Sequence, residues 1–245
     1  MANIAVTTFS PPASSFSFIS ARSSLGIGGI LKPSSNSISH PVPVLSASNQ
    51  LLRVPVRALQ KEAAVIQTDK DVAESVKVLK NAAKTRKVPA EEVLSALDVI
   101  KKAKIDPSSF LETLGGTESP GKTWMLIFTA QGRLERGSYF PITAIQRFDA
   151  TAKRIENGVY LGPVGCVTFE GKFSWKKRIL AFVFECLKIK IGPLGPLQVS
   201  LGKEDEREPS TKDPFFVWFY IDEEIAVAQG RGGGTAFWCR CRRLT

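Results

Sequence analysis

Residues 213–243 read DPFFVWFYIDEEIAVAQGRGGGTAFWCRCRR, and this stretch decides how the rest of the chain is read. Phe215 to Ile221 is dense in aromatic and β-branched residues, which suit a pleated, half-buried surface better than a helix. Asp222-Glu223-Glu224 interrupts the apolar run and marks a reversal. Ile225 and Val227 then alternate with Ala226 and Ala228, the period-two signature of a strand. Gly230 to Gly234 supplies the backbone freedom for a second reversal, and Ala236 to Cys241 forms a closing strand that ends in Arg242 and Arg243. The unit is therefore three short antiparallel strands joined by an acidic turn and a Gly-rich turn.

The same grammar extends upstream. Trp124 to Ala130, Ile142 to Phe148, Arg154 to Leu161, Cys166 to Ser174 and Ile179 to Ile191 are β segments bounded by Gly, Pro or charged turns, and Gln198 to Leu201 adds a shorter one. Many strands with short links predict an antiparallel meander, and closing it into a barrel would remove its exposed edges. The polar run 203–212, KEDEREPSTK, reads as a mobile surface loop.

Ahead of the strands, Val72, Val76, Leu79 and Ala83 fall on one face of a helix over Asp69 to Lys87, with Thr68 placed to cap it. Pro89 suits the first position of a second helix, whose stripe is Val93, Leu97 and Ile100. Neither stripe carries the bulky aromatic residues of an interfacial helix, so both are expected to pack on their own domain. A short helical turn is expected around Phe110 and Leu111. The fold class is α+β, mainly β: an N-terminal helical pair followed by an antiparallel, lipocalin-like β-barrel.

Trp124-Met125-Leu126-Ile127-Phe128-Thr129, then Tyr220-Ile221-Asp222-Glu223-Glu224-Ile225, then a basic Gly-rich turn around Arg231 and a closing apolar strand occur in an order that resembles the plastid-lipid-associated protein (fibrillin) family of chloroplasts. The resemblance spans roughly the last two thirds of the chain, a length typical of one domain. Gln229-Gly230-Arg231-Gly232-Gly233-Gly234 departs from the family's usual Arg-Gly-Asp turn, as a divergent branch would. The resemblance implies a non-enzymatic protein that binds or shields lipids, isoprenoids or quinones at thylakoids or plastoglobules.

The N-terminal segment agrees with a plastid destination. The 245-residue chain carries a net charge of +10, yet no Asp or Glu occurs before Glu62. That region is rich in Ser, Pro and small apolar residues, and before Lys61 its basic residues are Arg22, Lys32, Arg53 and Arg57. Such composition is expected of a transit peptide, whereas a secretory signal would need an unbroken apolar core behind a charged start. Val56-Arg57-Ala58 resembles a stromal processing context, which places the mature start near Leu59. The expected organisation is a transit peptide at 1–58, a helical region at 59–121 and the β-barrel at 122–245. Apolar runs such as Ile179 to Phe184 end far short of the roughly 20 residues a membrane span needs, so any membrane association would be peripheral.

His40 is the only histidine and lies within the expected transit segment, so a mature chain would lack Ser-His and Cys-His catalysis and His-containing metal sites. No catalytic set, cofactor or metal is expected. Cys166, Cys186, Cys239 and Cys241 form no Cys-x-x-Cys pair; Cys239 and Cys241 share one strand face, and the four read as structural thiols or, alternatively, as a redox-regulated pair. The Gly-rich turn lacks the Lys-Ser/Thr of a phosphate loop and leads into a strand, and no nucleic-acid partner is expected. Glu156 and Glu170 sit on neighbouring strands, where alternation turns such charges to solvent.

The aromatic residues are the positive signal. Trp124, Phe128, Phe148, Phe169, Phe173, Phe182, Phe184, Phe216, Trp218, Tyr220 and Phe237 are spread over the β segments, several at every second position, which would point them to one face. In a small barrel they fill the interior, and in a lipocalin-like one they line a cavity. The family resemblance implies the latter, with an apolar plastid lipid or isoprenoid as ligand. Asp222, Glu223, Glu224 and Arg231 would form a polar turn, in which Arg231 could meet the three acids or a lipid head group. The alternative is an assembly factor for a thylakoid protein complex, acting through the barrel exterior; its mark would be a filled interior with an exposed apolar patch.

Overall fold

The computed structural model describes residues 56–201 and 207–241, with side chains from residue 67 onward. The expected transit segment up to residue 55, His40 within it, and Arg242 and Arg243 lie outside the described residues. Residues 68–241 belong to one compact unit, and residues 56–67, the first turns of the first helix, belong to another. The larger unit holds the whole sheet and the helical residues packed on it.

Among the described residues three helices precede the strands: α1 (Val56–Thr85), α2 (Ala90–Lys102) and α3 (Phe110–Gly115). The helix expected from Asp69 begins earlier, so Thr68 is an interior residue and not a cap. The physical reason is local, since after Pro55 no Gly or Pro intervenes before Thr85 to stop a run of good helix formers. Pro89 stands one residue before α2, and its carbonyl accepts from the N–H groups of Glu92 and Val93 at 3.1 Å. Val76, Leu79 and Ala82 of α1 and Val93, Ala96, Leu97 and Ile100 of α2 are buried against the sheet, with Val72 and Ala83 at the margin. Both stripes therefore pack on the chain's own domain, as expected. Among the described residues no helix is long and apolar enough to cross a membrane.

Among the described residues ten strands make one antiparallel sheet: β1 (Lys122–Gln131), β2 (Arg136–Tyr139), β3 (Thr143–Asp149), β4 (Arg154–Tyr160), β5 (Gly165–Lys176), β6 (Ile179–Ile191), β7 (Leu197–Ser200), β8 (Phe215–Ile221), β9 (Ile225–Gly230) and β10 (Thr235–Cys241). Their order is β10-β9-β8-β6-β5-β4-β3-β1-β2, with β7 beside β6. β1 also pairs with β10 over Thr123 to Ala130. Its other edge is shared end to end by β3, opposite residues 122–125, and β2, opposite residues 128–131. β2 escapes detection from sequence because RGSY has little β character beyond its tyrosine.

Three irregularities shift the register, at Leu126/Phe128, Glu170/Gly171 and Trp218/Tyr220. A bulge inserts one residue and so exchanges the faces of everything after it. Gly171 is required where it stands, since a Cβ there would lie 1.9 Å from the carbonyl oxygen of Val183.

Two cores result. α1 and α2 cover one face, packing on Ile127, Phe128, Ile225, Val227 and Phe237. On the other face Phe110 and Leu114 of α3 pack with Trp124, Phe148, Phe182, Phe216, Trp218 and Trp238. Helices and strands thus share both cores.

Candidate functional site

Bulges in β1 and β8 carry Phe128 and Tyr220 away from the rings that alternation alone would place beside them. Trp124, Phe148, Phe173, Phe182 and Trp218 are buried on the α3 face, with Phe184 at its margin and Phe169 against Phe184 at 5.4 Å between ring centroids. Phe128, Tyr220 and Phe237 lie on the α1–α2 face instead. At β8 the cause is explicit: Trp218 stands opposite Ala228 of the α3 core, but after the bulge Tyr220 stands opposite Val227 of the other. The expectation of one shared aromatic lining is corrected accordingly.

The α3 face is a continuous ring stack. Phe182–Phe216 are 5.2 Å apart, Phe216–Trp218 5.8 Å, Trp218–Trp238 5.4 Å and Phe148–Trp218 5.6 Å. These are contact distances for aromatic pairs, so the rings fill the space between the strands. Trp238, absent from the sequence-derived site residues, stands opposite Leu126 of β1 and Ala226 of β9, both on the α3 face.

Polar satisfaction within this core is uneven. Trp124 Nε1 donates to the carbonyl oxygen of Leu114 at 2.8 Å, tying β1 to α3. Trp218 Nε1 and Trp238 Nε1 are buried without an acceptor. Trp238→Phe should therefore stay within about 1 kcal/mol of wild type, because deleting an unpaired donor offsets lost ring area. Trp124→Phe should cost about 1–3 kcal/mol, since it leaves the Leu114 carbonyl unpaired. Urea unfolding of the two variants measures the difference.

A broad opening lies at the edge of this core. A cleft of about 590 Å³ is bounded by Leu111 of α3, Lys153 of the β3–β4 turn, Phe173 to Lys176 of β5, Ile179 and Ala181 of β6, and Glu208 to Thr211. Its apolar walls are Leu111, Phe173, Trp175 and Ile179, and Lys153 meets Glu208 at 3.5 Å. The roof belongs to the run expected to be a mobile loop, yet its described part, residues 207–212, is pinned. Arg207 donates to both oxygens of Asp213 at 2.8 Å, Ser210 N–H donates to the same carboxylate at 2.9 Å, and Ser174 Oγ donates to the carbonyl of the buried Pro209 at 2.5 Å. The Arg207 guanidinium, against the opposing effect of burial, holds the Asp213 carboxyl far below the usual carboxylate range. Trp175, Lys153 and Lys176 were absent from the sequence-derived site; only the adjacency of two turns and α3 reveals them.

The polar turn is also rearranged. Lys80 of α1 meets Asp222 at 2.9 Å and Glu224 at 2.5 Å, and Lys122 meets Glu223 at 3.2 Å. Arg231 meets none of the acids; it donates to the backbone carbonyl of Lys212 and, at 3.5 Å, to that of Asp213. The separation is topological, because the acidic turn and the Gly-rich turn are at opposite ends of β9. Asp222 is the hub: it accepts from Tyr220 Oη at 2.9 Å and from the N–H groups of Glu224 and Ile225 at 2.7 and 2.8 Å. Burial together with that bond pushes the Tyr220 phenol well above its usual range.

Glu156 and Glu170 are on neighbouring strands, as expected, and stand directly opposite each other; each holds a cation on the sheet surface, Arg147 at 3.5 Å and Lys188 at 2.5 Å. The four cysteines are free and half-buried. Cys239 and Cys241 share a face; the Cys239 thiol is pushed up by its bond to Cys241 and by burial, while Cys241 is lowered to about 7 because Cys239 donates to it. Among the described residues no three His, Cys, Asp or Glu side chains gather to hold a metal ion.

Against known proteins, the sequence matches no protein-family model and no curated protein.

Proposed function

We propose that the chain is a non-catalytic lipid-associated protein of the fibrillin kind, held peripherally at the stromal face of thylakoids or on plastoglobules. In this reading it takes one apolar plastid molecule, an isoprenoid, quinone or acyl lipid, in the cleft beneath residues 208–211. The observation that carries it is the cleft itself: about 590 Å³, walled by Leu111, Phe173, Trp175 and Ile179, with Lys153 and Lys176 among the lining residues to meet a polar head. That volume suits a small-molecule site, and burial of apolar ligand surface contributes about 25 cal/mol per Å². The packed rings of the α3 face leave the ligand to this edge. In the same proposal the sheet is a lipocalin-like barrel stoppered by α3; the pairing of β1 with β3 on one side and β10 on the other supports that closure.

Purified protein is expected to retain a plastid lipid detectable by mass spectrometry and to take up plastoquinone or galactolipid with a change in tryptophan emission. Trp175→Ala should weaken uptake severalfold, the size of one aromatic contact. No retained lipid together with no uptake would sink the proposal.

A second reading, an assembly factor for a photosynthetic membrane complex, is favoured by one observation: the α3-face core is solid while large apolar side chains stand exposed elsewhere. Co-migration with a thylakoid complex on native gels, in a protein that binds no lipid, would replace the first reading with this one.

A further inference from the structure

We propose that the end of the sheet where the β4–β5 connection meets the β6–β7 hairpin is a lipid-inserting tip that docks the protein on an anionic bilayer. Val164, Ile191, Leu194 and Leu197 are 60 to 66% exposed there, and Leu161 is 46% exposed. Large apolar side chains so displayed are at odds with water, and contiguous ones mark an interaction surface. They come from two separate turns that the fold joins: Gly165 stands opposite Ile191, and Gly192 N–H donates to the carbonyl of Val164 at 2.9 Å. Pro163, Pro193 and Pro196 stiffen the turns, so the display is built in.

The charge pattern selects the partner. Between Glu156 and Glu170, and again between Glu185 and Leu201, there is no acidic residue; Lys188 and Lys190 are the only charges. Lys188 is engaged by Glu170 at 2.5 Å, while Lys190 is exposed beside Ile191. β7 leads back from the tip, with Leu201 N–H donating to the carbonyl of Glu185. Apolar side chains flanked by lysine fit the boundary between acyl chains and anionic head groups, where the former are buried by about 5–10 Å. A second copy docked tip to tip would set Lys190 against its own image, which disfavours self-association.

The proposal deepens the lipid-associated reading by naming the surface that touches the membrane, and it uses none of the residues that line the cleft. The full chain is floated with vesicles of phosphatidylcholine, with and without phosphatidylglycerol. Binding is expected only when phosphatidylglycerol is present, and the double variant Leu194→Glu/Leu197→Glu should lose it by at least about tenfold while keeping its thermal unfolding profile. Leu194→Trp should show a blue-shifted emission on the same vesicles, and Lys190→Glu should lower binding most at low salt. Trp175→Ala should bind vesicles like wild type, which separates failure of the tip from failure of the cleft. Equal flotation of wild type and the double variant, or no emission shift, overturns the proposal. So does a wild-type dimer that the double variant dissolves, which would assign the tip to a second copy.

Discussion

Trp218→Ala is expected to destabilise the fold by about 3–5 kcal/mol, the range for removing a large aromatic side chain from a close-packed core. Trp218 is fully buried and its ring lies 5.4 to 5.8 Å from those of Phe148, Phe216 and Trp238, which are carried by β3, β8 and β10 and cannot all close in. The rings are held by backbone ladders, so the volume of the lost indole remains largely as a cavity. For a domain of this size the loss corresponds to a fall in Tm of about 2–4 °C per kcal/mol. Urea unfolding followed by far-ultraviolet circular dichroism measures it. A loss below about 1 kcal/mol would mean that the α3 face yields easily, and would return the interior to consideration as the place where a ligand sits.

Asp222→Ala is expected to cost about 2–4 kcal/mol, because it strips the acceptor from the N–H groups of Glu224 and Ile225, from Tyr220 and from Lys80 at once. The turn between β8 and β9 and its tie to α1 both depend on this carboxylate. Burial pushes its pKa up, but the Ile225 and Glu224 N–H groups, Lys80 and Tyr220 together hold it below its usual 3.8. A depressed folded-state pKa adds stability above the unfolded value, and that stability is lost as pH falls through the folded one. Wild type should therefore lose stability as pH drops below the usual carboxylate value, with Asp213 adding to the same limb through Arg207. Asp222→Asn should be less stable at neutral pH and should show a shallower acid limb. Identical slopes for the two proteins between pH values above and below that range would remove Asp222 from the account.

These two residues mark the division between local and long-range information. Asp222 was identifiable as a turn residue because acids interrupt an apolar run, but its partner Lys80 lies on a helix far away in the chain and no local pattern points to it. Trp218, Phe148 and Phe216 were identifiable as strand aromatics, but the place of Trp238 beside them was not, since it rests on the pairing of β10 with β1 and β9. The cleft was not legible: Trp175 follows the last residue assigned to its strand, and its roof read as a polar loop because the clasp of Arg207 and Ser210 on Asp213 pairs residues that each look solvated.

Alternation, turn residues and helix punctuation are consequences of bonds between near neighbours, and so, among the described residues, the chain alone located nine of the ten strands, all three helices and the stripes that pack. Which face Phe128 and Tyr220 take depends on bulges in β1 and β8, and a bulge is a mismatch between two strands that neither contains by itself. The meeting of the two apolar turns at the tip, the partners of the acidic turn and the solid packing of the α3 face follow from that pairing, because only the assembled ladder sets the distances between side chains remote in sequence.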